Sequence, residues 1–226
     1  MKKCIMILSG GSLEADFVRL MLEKKQPDFV ITADHGLVAC RAAGLIPDLI
    51  VGDFDSAPAE VVEEYRQMFE EHGKPVIRTF PVEKDETDTE LAITTALQYE
   101  PESICILGAT GTRLDHTLAN ISLLLKPLAA EVRAEILDPW NRIFLADEPL
   151  RLSVNEAYGP YFSLMPVDET VAGLTIRGAK YELRDAELPF GSSLCISNEF
   201  RNPVVEISMR QGILAVFETR DEPLRG

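Results

Sequence analysis

Leu49-Ile50-Val51-Gly52-Asp53-Phe54-Asp55-Ser56 joins a short apolar run to an acidic loop. The pattern returns at Val76 to Phe80, followed by Glu83-Lys84-Asp85-Glu86-Thr87-Asp88. Each apolar run reads as a buried strand, and carboxylates two residues apart on an irregular loop can both turn toward one point. Two such loops at one edge of a sheet gather an all-oxygen ligand set, which suits Mg²⁺ holding a polyphosphate. Asp and Ser also fill turns and cap helices for purely local reasons. A second acidic loop in the equivalent place turns the reading toward a metal.

Outward from this pair, strand and helix signals alternate. Lys3 to Leu8 is apolar and ends in Ser9-Gly10-Gly11-Ser12, with Ser12 placed to cap a helix from Leu13 to Lys25. Asp28 to Ala33 reads as the next strand, ending in Asp34-His35-Gly36, and a short helix from Leu37 to Ala43 stops at Gly44. Pro58 suits the first turn of a helix that runs to about His72 and stops at Gly73. Thr87 or Asp88 caps the following helix. Ser103 to Leu107 and Arg133 to Leu137 read as further strands, flanking Gly108-Ala109-Thr110-Gly111-Thr112-Arg113-Leu114-Asp115 and a helix from His116 to Leu125.

The alternation predicts a three-layer α/β domain with a mostly parallel sheet, covering 1–140. In such a sheet every strand-to-helix loop emerges at the same edge, where ligands bind. Asp34, Asp53, Asp55, Asp85, Asp88 and Asp115 all follow strand ends, so they are expected to share one crevice.

From about Asp147 the pattern changes to short strands at Leu150 to Val154, Tyr161 to Met165, Thr170 to Ile176, Leu194 to Ser197, Val204 to Ile207 and Ile213 to Phe217. Turn signals separate them, and no helix-length amphipathic segment remains. This predicts an all-β sandwich over 147–226.

The chain has 226 residues, 46% of them hydrophobic, and a formal charge of −15. It has no basic stripe to displace counterions from a nucleic-acid backbone, so a nucleic-acid partner is not expected. ATP brings its own Mg²⁺ and is compatible with that charge, as is a cationic substrate. Cys4, Cys40, Cys105 and Cys195 form no Cys-x-x-Cys or Cys/His cluster and read as free thiols of a cytoplasmic protein. No apolar run reaches the length of a membrane span.

A P-loop and a G-x-G-x-x-G fingerprint are both absent. Gly108 and Gly111 still allow backbone N–H groups near a phosphate, and Arg113 can grip phosphate oxygens. Lys84 among its acidic neighbours is either a charge partner or a phosphate contact. His72 reads as a solvated helix end. His35 lies nearest the expected site but lacks the spacing of a base.

Taken in order, Asp34-His35-Gly36, Pro47-Asp48, Gly52 to Ser56, Lys84 to Asp88, Gly111 to His116 and Ser197-Asn198-Glu199 resemble the motifs of the thiamine pyrophosphokinases. That resemblance implies an N-terminal α/β domain, a C-terminal β-sandwich and a homodimer. It also implies transfer of the β,γ-pyrophosphoryl group of ATP to the hydroxyl of thiamine, releasing AMP. Asp53, Asp55 and Asp88 would hold Mg²⁺ with Asp85 beside them, and Asp55, Asp85, Asp88 and Arg113 would serve the reaction. Asp34, Lys84, Gly108, Gly111, Arg113 and Asp115 would line the nucleotide. Ser197 and Asn198 would meet thiamine. The chain departs from the family pattern at His35 and Thr112, where glycines are usual. Trp140 and Tyr161 are candidates to stack on a flat cation, though such residues are commonly core. Two other readings keep the fold: a pyrophosphokinase for another alcohol such as a hydroxymethylpterin, and a non-catalytic thiamine or nucleotide sensor.

Overall fold

The computed structural model describes residues 4–53, 57–79, 85–167 and 169–224. These form two compact units that divide between Asp138 and Pro139.

In the first unit the strands are β1 (Cys4–Leu8), β2 (Phe29–Ala33), β3 (Leu49–Gly52), β4 (Val76–Thr79), β5 (Ser103–Leu107) and β6 (Arg133–Leu137). Their spatial order is β6-β5-β1-β2-β3-β4, and every pair is parallel. β1 is central, and Ile5, Met6, Ile7 and Leu8 are fully buried. A parallel strand covered on both faces reads as an unbroken apolar run, which is why these elements were legible.

The helices are α1 (Ala15–Lys25), α2 (Gly36–Ala42), α3 (Ala59–His72), α4 (Asp88–Leu97), α5 (Leu114–Leu123) and α6 (Leu125–Ala129). α2 packs against α1 and α3, whereas α4 packs against α5 and α6. Right-handed crossovers in opposite directions across the sheet put these two groups on opposite faces. The direction of travel reverses between β1 and β5, so the loops after these two strands flank the crevice expected at such a reversal.

Two local expectations change. β4 is an edge strand with Val76 44% exposed, not a buried one, because it is last in the order and has no neighbour beyond it among the described residues. Phe80 lies outside the described residues. Ser12 does not cap α1, which begins at Ala15 after Glu14; the Ser12 N–H instead donates to the Thr110 carbonyl at 2.9 Å. Gly44 and Gly73 do end α2 and α3 as expected, both in the left-handed region.

The second unit holds β7 (Asn141–Ala146), β8 (Leu150–Ser153), β9 (Tyr161–Pro166), β10 (Thr170–Arg177), β11 (Leu183–Pro189), β12 (Asn198–Glu199), β13 (Val204–Ser208) and β14 (Leu214–Thr219). β12, β9, β14 and β7 pair antiparallel in that order, as do β11, β10, β13 and β8. Phe162, Leu164, Leu214 and Val216 from the first set share one core with Leu152, Leu174, Ile176, Leu188, Val205 and Ile207 from the second. This is a sandwich. β7 precedes the expected start at residue 147 and pairs with β14 from Asn141 to Ala146. The strand expected at Leu194 to Ser197 is a turn that leads into two-residue β12, and β11 was missed because charged residues and register shifts break its alternation.

Candidate active site

The parallel sheet delivers Asp34, Asp53 and Asp88 to one point. Asp34 follows β2 in a left-handed turn (φ +41°), with its N–H donating to the Val51 carbonyl of β3 at 3.1 Å. Asp53 follows β3 directly. Asp88 opens α4, whose N-cap Thr87 accepts a hydrogen bond from the Glu90 N–H at 3.3 Å. One carboxylate oxygen from each lies within 4.8 Å of the other two; Asp34 is buried, and Asp53 and Asp88 are part-buried.

Three hard oxygen donors from three chain segments match the preference of Mg²⁺, whose opposite ligands stand roughly 4 Å apart. Only a small contraction would seat the ion, so these residues fit the metal. Of the expected Asp53, Asp55 and Asp88, the first and last are in the cluster, and Asp34, expected at the nucleotide, joins them. Asp55 and Lys84 lie outside the described residues. Asp85 is exposed, three residues before the first residue of α4, and is not part of the cluster.

The loops around the cluster are packed backbone to backbone. A Cβ on Gly36 would lie 2.4 Å from the Leu8 carbonyl oxygen, so only glycine lets the turn after β2 close on β1. Gly108, at φ +69°, would place a Cβ 2.5 Å from the Ser9 carbonyl oxygen. Its own carbonyl accepts the Gly11 N–H at 2.7 Å. The loop Ser9 to Ser12 is therefore interleaved with Gly108 to Gly111, and sequence reading had left it out of the site. The signal was available: a glycine pair directly after an apolar strand.

His35 and Thr112, which replace expected glycines, are both accommodated. His35 is exposed with ordinary helical backbone angles (φ −60°, ψ −18°), and Thr112 is exposed. Neither position needs glycine.

Arg113 and Asp115 form a two-pronged pair, Nη2 to Oδ2 at 2.6 Å and Nε to Oδ1 at 3.3 Å, with both side chains largely exposed. The Arg113 guanidinium, helped by the His116 backbone N–H, holds the Asp115 carboxyl down at about 2. In return Asp115 raises the affinity of Arg113 for its proton. A guanidinium has five N–H donors, so the pair leaves Arg113 donors for a phosphate. Within the same unit, Thr110 donates to the buried Asp138 carboxylate at 2.8 Å and ties this loop to the end of β6.

Pro47-Asp48 lies at the other end of the sheet. Asp48 accepts the Val30 N–H at 2.9 Å and pairs with Lys74 at 2.7 Å, which is a structural duty. His72 is a solvated helix end beside Glu71.

In the second unit, Ser197 is exposed with a left-handed backbone (φ +56°), and its N–H donates to the Ser163 hydroxyl at 3.0 Å. Asn198 is 3% exposed. Its Oδ1 accepts the N–H groups of Tyr181 and Glu199 at 3.0 and 2.9 Å, and its Nδ2 donates to the Tyr181 carbonyl at 2.8 Å. Most of its polar capacity holds the Tyr181 backbone in the turn that leads into β11. Trp140 is 46% exposed, and Tyr161 is part-buried on β9 opposite Glu199.

Comparison with known proteins covers both units. Residues 20–136 match the family model described as thiamin pyrophosphokinase, catalytic domain. Residues 149–214 match thiamin pyrophosphokinase, vitamin B1 binding domain. A thiamine pyrophosphokinase of Bacillus subtilis (strain 168) is 35% identical over 84% of this chain and 87% of its own. Thiamine pyrophosphokinase 2 of Oryza sativa subsp. japonica is 30% identical over 95% of this chain and 78% of its own. The crystal structure of the Bacillus subtilis thiamine pyrophosphokinase superposes with a TM-score of 0.83 at 32% identity, covering 97% of this chain and all of the other. That of the Geobacillus thermodenitrificans thiamin pyrophosphokinase gives 0.81 at 34%, covering 96% of this chain and 98% of the other. With both domain models matched in succession and a 35% identical relative covered over 87% of its length, the chain belongs to the thiamin pyrophosphokinase family.

Proposed function

We propose that the Asp34, Asp53 and Asp88 carboxylates hold Mg²⁺ on the polyphosphate of ATP while the β,γ-pyrophosphoryl group passes to the hydroxyl of thiamine. The activity class follows from the family: a transferase that makes thiamine diphosphate from thiamine and ATP. The convergence of three carboxylate oxygens at the ligand-binding edge of the sheet carries the residue roles.

Pyrophosphoryl transfer asks a protein for in-line positioning and neutralised charge more than for covalent chemistry. The thiamine oxygen bonds to the β-phosphorus, the bond from that phosphorus to the α-bridging oxygen breaks, and AMP leaves. When bound, Mg²⁺ supplies neutralisation of the phosphate oxygens. Arg113 donates to the developing charge with the N–H groups that Asp115 does not use. The backbone N–H groups around Gly108 and Gly111 line the nucleotide together with Lys84 and Asp115. Asp85, exposed beside the start of α4, accepts the proton of the alcohol. Asp55 completes the acidic loop after β3.

Ser197, presented by its left-handed turn, meets thiamine in the sandwich unit, with Asn198 behind it. The unit through Asp138 is the catalytic domain and Pro139–Leu224 the vitamin-binding one. A homodimer and a cytoplasmic location complete the reading. No helix among the described residues is long and apolar enough to cross a membrane, and none of the four cysteines is in a disulfide. The hydroxymethylpterin alternative gains no support, since the C-terminal match is to a vitamin B1 binding domain, nor does the sensor alternative, since residues 20–136 match a catalytic domain.

The test is one assay. Purified protein with Mg-ATP and thiamine is expected to release AMP and thiamine diphosphate in equal amounts, and Asp53→Asn and Asp88→Asn to abolish both. Full activity in either variant refutes the metal assignment.

A further inference from the structure

We propose that Ser9 and Thr89 form a latch that positions Asp88, making both hydroxyls positioning residues for the metal site. The inference rests on the reading that Asp34, Asp53 and Asp88 hold the ion.

Asp88 is the ligand of the three that no strand end carries. Asp34 and Asp53 sit at the ends of two neighbouring, paired strands, so the sheet itself fixes them. Asp88 instead opens a helix reached from edge strand β4, and its N-cap bond is long at 3.3 Å. Something must hold the first turn of α4 over the middle of the sheet. Thr89 does this: its Oγ1 lies 2.5 Å from Ser9 Oγ, and the two residues are only 7% and 3% exposed. Successive helical side chains diverge by roughly 100°, so Thr89 can face the end of β1 while Asp88 faces the ends of β2 and β3.

Ser9 is a firm anchor. It follows the central strand, its N–H donates to the Leu107 carbonyl of β5 at 2.8 Å, and its carbonyl is packed against Gly108. A buried hydroxyl pair bridging residues 80 apart in the chain is costly to leave half made. The latch joins the glycine loops on one side of the crevice to the acidic cluster on the other. Partners that orient a metal ligand typically change metal affinity by about 10- to 100-fold when removed.

The experiment measures Mn²⁺ binding to the full chain by electron paramagnetic resonance, alongside thermal melts. Thr89→Val is expected to raise the Mn²⁺ Kd about tenfold, Ser9→Ala to do the same, and the double variant to be no worse than either single one. Thr89→Ser, which keeps the hydroxyl, is expected to bind near wild type. If Thr89→Val does not fold, Ser9→Ala and Thr89→Ser carry the comparison. Lowered Tm with unchanged Mn²⁺ Kd overturns the latch and leaves a merely structural bond. Asp34→Asn and Asp53→Asn are the control: if they also leave Mn²⁺ binding unchanged, the metal reading fails first and the latch with it.

Discussion

Asp53→Asn offers a perturbation whose sign depends on the metal. Without an ion, three carboxylate oxygens lie within 4.8 Å of one another. At that distance a pair of unit charges repels by about 0.9 kcal/mol in water and about 3.5 kcal/mol at an effective dielectric constant of 20. Neutralising Asp53 removes its repulsion with both neighbours. Asp53 and Asp88 are part-exposed, so the lower figure governs and the relief is about 2 kcal/mol. An asparagine keeps the shape of the side chain but accepts hydrogen bonds less strongly than a carboxylate, which costs about 1 kcal/mol. The net expectation is a variant about 1 kcal/mol more stable in EDTA, or about 2–4 °C higher in Tm for a chain of this length. With Mg²⁺ at 100 times its Kd, the wild type gains about 2.7 kcal/mol while the variant gains far less, so the order inverts. Paired melts in EDTA and in excess Mg²⁺ read both signs. A variant less stable in EDTA, or a shift by Mg²⁺ equal in both proteins, refutes the electrostatic account.

Gly36→Ala is expected to lower both Tm and activity, because its Cβ would stand 2.4 Å from a backbone oxygen of the central strand; unchanged values in both would show that the turn yields. Tyr65→Phe removes the hydroxyl that donates to the Leu45 carbonyl at 3.0 Å and is expected to cost about 1 kcal/mol with activity intact, read by denaturant titration. Asp115 is held at about 2, below its unfolded value, so its contribution to stability is complete above pH 4 and is lost as pH falls through 2. Asp115→Asn should therefore flatten the stability curve across that acid window, and an unchanged slope there would contradict the pairing. Burial pushes the Cys195 thiol up to about 11 and raises that of Cys40, so native protein should leave both unmodified by a thiol reagent that labels them in denaturant.

The parallel sheet was legible because its central strands are covered on both faces and β2, β3, β5 and β6 end at glycine or aspartate. β11 was not, since its charged outward residues hide the period. The shared edge of the acidic residues followed from the α/β alternation, but the membership of the cluster did not. Asp34 joins it because the backbone turns left-handed there, which no spacing along the chain reveals. Asn198 reads as a binding residue in sequence, yet its side chain holds the Tyr181 backbone. Side-chain duty depends on partners brought from elsewhere in the chain, and motif order is silent on those.

The meeting of β2, β3 and α4 ends at one point also has a meaning for the lifetime of the protein. A cation seated among those three segments would act as a removable cross-link between stretches remote along the chain, thinning the population of partly opened forms that proteases attack. Magnesium scarcity would then shorten survival of the polypeptide as well as slow its turnover, coupling abundance to the supply of the same ion that catalysis consumes no part of.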